Sequence, residues 1–227
     1  MVEIIFKDKN SIIAYKPAGM SSQSDPTSVT SLFDEVKAEL RGGGEDDELY
    51  LIHRLDKVVG GLLCFARNKS SAQRLSEIVS DGVLCKEYLA VVDGVVDSSV
   101  FCDYLRKNTT LSKAEVTKEG AKDSKYAELS FDTLSVVDTL KGKKALVKIL
   151  LKTGRFHQIR AQFSSRGTPL SGDKKYGSKD LRARHPALFA YRLEYNIGEN
   201  VSATRLPDTT VYPWNLFEKS IYKELDI

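Results

Sequence analysis

Asp56 sits between cations in the stretch His53-Arg54-Leu55-Asp56-Lys57, directly before Val58-Val59-Gly60-Gly61 and the apolar run Leu62 to Ala66. A carboxylate beside an arginine is favoured in its ionised form, the form that acts as nucleophile or base. Most aspartates in such company are solvated surface ion pairs, so the cluster gains weight only from the rest of the chain. A second stretch, Lys152-Thr153-Gly154-Arg155-Phe156-His157-Gln158-Ile159-Arg160, gathers donors where a helix begins. The helix dipole favours anions there, so a carboxylate or a phosphate is the expected partner. A third, Gly172-Asp173-Lys174-Lys175-Tyr176-Gly177, continues into Lys179, Arg182, Arg184 and His185 with Asp180 as the nearby acid. Clustered positive charge of this kind suits a nucleic-acid backbone. A single candidate carboxylate differs from the paired carboxylates of a glycoside hydrolase.

These residues need elements to hold them. Leu62 to Ala66 reads as a short buried strand, with Gly60 and Gly61 as a tight turn before it. Val2–Phe6 and Ser11–Tyr15 read as a hairpin that ends at Lys16-Pro17-Ala18-Gly19-Met20. Val29, Leu32, Phe33, Val36 and Leu40 recur at helical spacing, with Thr27 or Ser28 as cap and Gly42 as stop. A second helix starts at Ser70, buries Ala72, Leu75, Ile78 and Val79, and stops at Asp81-Gly82. Residues 83 to 94 read as a long strand carrying Tyr88, and a strand tyrosine most often packs in a core. Residues 103 to 130 have too few large apolar side chains for a core of their own and read as exposed strands. Leu129–Val137 and Ala145–Leu151 return to strand composition. The turn Lys141-Gly142-Lys143-Lys144 between them is either a solvated hairpin tip or a phosphate contact. Phe156, Ile159 and Phe163 form the apolar stripe of the helix that Gly167 stops. Leu188 to Tyr195 reads as a strand. The tail beyond Leu206-Pro207 packs back through Trp214, Leu216 and Phe217.

Composition narrows the class. A length of 227 residues with 41% hydrophobic content supports a real core, in one large domain or two small ones. No run approaches the roughly 20 apolar residues that span a bilayer, and the first residues carry charge too early for a signal peptide. Cys64, Cys85 and Cys102 are an odd count without a close pair, which suits reduced thiols in the cytoplasm. The three histidines show no metal-ligand spacing. Gly42-Gly43-Gly44 is followed by Glu45-Asp46-Asp47-Glu48, which would repel a phosphate, so it reads as an acidic loop.

The motifs together resemble a known family. His53-Arg54-Leu55-Asp56-Lys57 with Gly61-Leu62-Leu63 resembles the catalytic signature of the RluA family of RNA pseudouridine synthases. Lys16-Pro17-Ala18-Gly19-Met20, Lys86-Glu87-Tyr88-Leu89, Thr153 to Arg160, and Gly172 to Gly177 resemble further signatures in the family's order. The resemblance implies an α+β fold: one catalytic domain over residues 1–227, on a long, mostly antiparallel mixed sheet with flanking helices and a central cleft. It implies isomerisation of uridine to pseudouridine in rRNA or tRNA. Asp56 matches the catalytic aspartate, Tyr88 the tyrosine against the target base, and Arg160 the basic partner of the aspartate. Leu188 matches a leucine against the base, and Arg54 an arginine that fills the space left by a flipped base. His53, Arg155, His157 and Lys174 in the same motifs are expected to contact the RNA. A rearrangement of this kind needs no cofactor and no metal, and the target base must leave the stack.

Three departures accompany the resemblance. Val58, Val59 and Gly60 stand where the family often has an acid, a threonine and a serine, so hydroxyls that would brace the loop are missing. Phe189 stands where many members have histidine. No separate N-terminal RNA-binding domain is expected, since the first motif begins near the start. The expected partner is RNA, with no membrane and no obligatory protein partner, and the chain is expected to be a cytoplasmic monomer. Two alternatives remain: a non-catalytic RNA-binding or chaperone protein that keeps the fold, and a hydrolase that releases free base.

Overall fold

The structure, a computed structural model, describes residues 2–24 and 30–225. It divides into two compact units, Met1–Lys86 with Ala190–Pro207, and Glu87–Phe189 with Asp208–Ile227. Both are α+β, and the strand pairs given below are antiparallel.

The first unit opens with the expected hairpin, β1 (Ile4–Lys7) and β2 (Ser11–Lys16), with Ile4 opposite Ala14 and Lys7 opposite Ile12. α1 (Leu32–Gly42) follows, then β3 (Tyr50–Leu51), β4 (Gly60–Ala66) and α2 (Lys69–Ser80). β2 pairs with β4 from Ser11–Ala66 to Lys16–Gly61, and β3 pairs with the far end of β4. Ser31 caps α1 in a reciprocal box with Asp34, and the helix buries Leu32, Val36 and Leu40. The expected caps Thr27 and Ser28, and Val29, lie outside the described residues. α2 is capped by Asn68, whose Oδ1 accepts from Ser71 N–H at 2.8 Å, and not by Ser70. Ala72, Ile78 and Val79 pack on a core of Ile13, Leu62, Cys64 and Leu75.

Gly60 and Gly61 are part of β4 and not of a turn before it. Gly61 has φ +131°, and a Cβ there would run into the Ala190 backbone, so close approach of chains is what demands glycine.

The second unit begins with β5 (Cys85–Asp93), β6 (Ser99–Asn108), β7 (Lys113–Thr117), β8 (Ser124–Thr139) and β9 (Gly142–Leu151). Their spatial order is β5-β9-β8-β6-β7. α3 (Gln158–Ser165) comes next. β10 (Leu188–Asn196) runs on into the first unit and pairs with β11 (Asn200–Thr204), and α4 (Glu218–Glu224) closes the chain in the second unit. The stretch expected as exposed strands is β6, β7 and the start of β8. Trp214 and Phe217 are buried, as expected of the tail.

The basic turn before Ala145 is neither a solvated tip nor a phosphate contact at its last residue. Lys144 is buried and donates to Asp93 Oδ1 at 2.5 Å and Ser171 Oγ at 2.8 Å, and pairs with Asp180 Oδ2 at 2.9 Å. Asp180 also holds Arg182 through both Nε and Nη2. One buried acid therefore consumes two of the cations that the sequence offered to a polyanion.

Candidate active site

In the first unit the candidate carboxylate lies on a loop without regular secondary structure, yet its backbone is tied at each step. Ser22 Oγ donates to the Leu55 carbonyl at 2.9 Å and accepts from the Leu55 N–H at 3.1 Å. The Asp56 carbonyl accepts from Val59 N–H at 2.9 Å, and the Lys57 carbonyl from Gly19 N–H at 2.7 Å. Lys16, fully buried at the end of β2, donates to the carbonyls of Pro17 (3.0 Å), Met20 (2.7 Å) and Lys57 (3.3 Å). The bracing that Val58, Val59 and Gly60 cannot give comes from Lys16, at the end of β2, and from Ser22, on the segment after it. Asp56 itself is half-buried, and Arg54 is exposed.

Burial pulls the Lys16 ammonium down to about 7, and the Asp56 carboxylate partly restores it. The lysine thus lies within electrostatic reach of Asp56 while its hydrogen bonds go to the backbone. His53 points inward. Its Nε2 accepts from Cys64 N–H at 3.2 Å, and burial, with the Lys86 charge, lowers it to about 3, so the ring is neutral. His53 and Arg54 line a cleft of about 540 Å³ with Gln23, Phe33 and Tyr50.

In the second unit Tyr88 is 6% exposed on β5, opposite Ile149 of β9. Leu188 is buried where β10 begins, next to Ala187, whose carbonyl accepts from Val91 N–H of β5 at 3.0 Å. Arg160 lies on α3, 4% exposed, in a two-pronged pair with Asp173: Nε to Oδ2 at 2.7 Å and Nη2 to Oδ1 at 2.9 Å. Gly172 precedes Asp173 in the chain. At φ +80° it passes so close to Ala183 that a Cβ would stand 2.6 Å from the Ala183 side chain. The guanidinium also lies 4.9 Å from the Tyr176 ring centre.

His157 does not share a helical face with Arg160. It is the residue before α3, in the left-handed region at φ 50°. Its Nδ1 lies 3.0 Å from the Tyr176 hydroxyl, which accepts from Ala114 N–H at 2.6 Å. Burial, and next the Arg160 charge, lower it to about 3. Gln158 folds back over the turn: Oε1 accepts from Thr153 Oγ1 and Arg155 N–H, and Nε2 donates to the Glu128 carbonyl. Arg155 is exposed and donates from Nε to the Tyr126 carbonyl at 2.7 Å, and Lys174 is exposed. The expected apolar stripe holds for Ile159 and Phe163 but not for Phe156, which is 37% exposed.

The structure therefore gathers Asp56, Arg54 and His53 in the first unit, and Arg160, His157 and Arg155 around α3 in the second. Sequence reasoning missed the work of Ser22, Lys16 and Asp173. Asp173 had a signal, an acid inside an otherwise basic segment. Ser22 had none, because its partners are backbone atoms. Among the described residues no three His, Cys, Asp or Glu side chains are grouped as for a metal ion, and no helix is long and apolar enough to cross a membrane.

The sequence model of the RNA pseudouridylate synthase family matches residues 10–165. The chain belongs to this family. That match bears out the RluA-type resemblance, and curated relatives agree with it. The ribosomal large subunit pseudouridine synthase C of Rickettsia conorii is 30% identical over 198 residues, 87% of this chain and 64% of the relative. The ribosomal large subunit pseudouridine synthase D of Zymomonas mobilis is 30% identical over 194 residues, 82% of this chain and 59% of the relative. The chain thus spans somewhat less than two thirds of either relative. Two solved structures share the fold. Human RNA Pseudouridylate Synthase Domain Containing 1 has a TM-score of 0.76 at 21% identity, over 94% of this chain and 86% of that one. Human RNA Pseudouridylate Synthase Domain Containing 4 has 0.75 at 21% identity, over 97% and 92%.

Proposed function

We propose that this family member isomerises uridine to pseudouridine in ribosomal RNA. Family membership and the names of its relatives support the reaction and the RNA class. The observation that carries the reading is the Asp56 loop: a half-buried carboxylate on a backbone tied down through Leu55, Asp56 and Lys57. A catalytic group gains from such fixing, because its ordering is already complete when substrate arrives.

The reaction breaks the bond from N1 to C1′, turns the base, forms a bond from C5 to C1′, and removes the C5 proton while N1 gains one. Atoms and electrons balance within the nucleoside, so no external oxidant or reductant enters. Asp56 is the acting carboxylate, attacking the sugar or removing a proton. Tyr88 stands against the base and takes part in removing the C5 proton, and Arg160 keeps the aspartate ionised. Leu188 packs on the base, and Arg54 occupies the space of the extruded uridine. His53 and His157, neutral at physiological pH, orient backbone and ring partners. Arg155 and Lys174 are the exposed cations for phosphate. We assign the reaction to a cytoplasmic monomer acting on rRNA, with tRNA as the alternative substrate.

The test is product analysis. Large-subunit rRNA transcript incubated with the chain and digested to nucleosides should contain pseudouridine, and Asp56→Ala should yield none. Free uracil would instead show a hydrolase. RNA bound but unchanged would show a binding protein that keeps the fold.

A further inference from the structure

The feature left unexplained by this chemistry is the exposed ring of Phe156. A large apolar side chain before a helix would normally turn inward, and the periodicity of Ile159 and Phe163 invites it to do so. The left-handed backbone at His157 holds it outside. One neighbour of the ring is the imidazole of His157, stacked at 3.8 Å between ring centres and 19° between planes. Tyr176 meets His157 edge-on at 5.6 Å, so three rings follow one another from surface to core.

Cations surround this column. The Lys107 ammonium lies 4.8 Å from the Phe156 ring centre, and Lys113 lies 5.6 Å from that of Tyr176. Lys107 and Lys175 are both close enough to His157 to oppose its protonation. Arg155 and Lys174 are exposed in the flanking segments. The local acids are engaged elsewhere. Glu115 binds Asn108 and Arg106, Glu128 accepts from the Tyr126 hydroxyl, and Asp173 holds Arg160. An exposed aromatic face within a group of cations is the arrangement by which proteins take single-stranded nucleic acid: the ring takes a base and the cations take phosphates.

We infer that an unpaired base of the RNA stacks on Phe156 while the phosphates beside it are held by Lys107, Lys113 and Lys175. An exposed cation–π contact is weaker than a base stacked on an aromatic ring, so Lys107 yields the ring and takes the phosphate. Duplex RNA does not fit, because its base faces are already covered. The platform deepens the proposed function and rests on RNA being the substrate.

The test uses the full chain and a short labelled single-stranded RNA carrying one 2-aminopurine, with anisotropy and fluorescence read across a salt series. Phe156→Ala should weaken binding about tenfold and lose the quenching of 2-aminopurine, whereas Phe156→Tyr should keep both. Lys107→Gln should lower the slope of log K against log salt by about 0.7. Binding of a duplex of equal length should change little in Phe156→Ala. Unchanged single-strand binding in Phe156→Ala, or equal loss for duplex and single strand, would overturn the platform. Pseudouridine formation on rRNA transcript, measured alongside, separates the two readings. Normal turnover by the wild type with unchanged binding in Phe156→Ala removes the platform and leaves the reaction. Stacking lost in Phe156→Ala, with no pseudouridine made by the wild type, removes the reaction and leaves the platform.

Discussion

The two units hold their charged groups in opposite ways. In the first, Asp56 sits on an irregular loop, and the fixing is done by backbone atoms: carbonyls and N–H groups tied to Ser22, Gly19 and Lys16. In the second, Arg160 sits on a helix and is fixed through its own charge by the Asp173 carboxylate. The first method fixes the loop through its backbone. The second makes a buried cation tolerable, since a lone charge at such burial would be far too costly. A carboxylate on an irregular loop and a buried cation on a helix thus call for different scaffolds.

The largest effect expected from this contrast is in the second unit. Asp173→Ala removes the carboxylate that holds the buried Arg160 guanidinium by two hydrogen bonds and should cost about 3–5 kcal/mol by denaturant unfolding. Hydrogen exchange should report the loss in α3 and not in β1 to β4. The pair Arg160→Met with Asp173→Leu should recover most of that stability while turnover stays lost, which would show that the pair serves placement more than stability.

Lys16 gives the next largest effect, and its sign follows from its lowered value. Unfolded, the lysine holds its proton up to about 10, and folded it releases it near 7. The unfolded chain therefore binds more protons between these values, so stability rises with pH there. Wild type should gain about 2 kcal/mol between pH 7 and 9 relative to Lys16→Met, measured as the difference in unfolding free energy of the two chains. Parallel pH profiles would contradict the assignment.

Ser22→Ala should have the smallest effect on stability, about 1 kcal/mol, because the groups it leaves unpaired are a neutral carbonyl and N–H and not a charge. Its effect on kcat should exceed its effect on KM, since it frees the Asp56 loop without touching bound RNA. A change in KM alone would mean that the tie at Leu55 does not serve catalysis.

These contrasts also mark what the sequence could reveal. Asp56, Tyr88 and Arg160 can be named from sequence because their side-chain types and order match the family's motifs. The β2–β4 core and both early helices were legible from periodicity, apart from caps such as Asn68, since Asn68 and Ser70 can both cap a helix and only the fold decides between them. Ser22 and Lys16 act on carbonyls, which every residue has, so no pattern announces them. Phe156 fits the helical stripe by spacing, and only the backbone angle at His157 turns it outward. Lys144 looked like surface charge because its acids, Asp93 and Asp180, lie far from it in sequence.

The central claim is that Asp56 performs the isomerisation. Asp56→Asn keeps the shape of the side chain and the backbone ties of its loop while removing the charge. With large-subunit rRNA transcript at neutral pH, wild type should form pseudouridine and Asp56→Asn should be slower by about a thousandfold or more, with RNA binding and melting temperature retained. Pseudouridine formed by Asp56→Asn at a rate near that of the wild type would contradict the account.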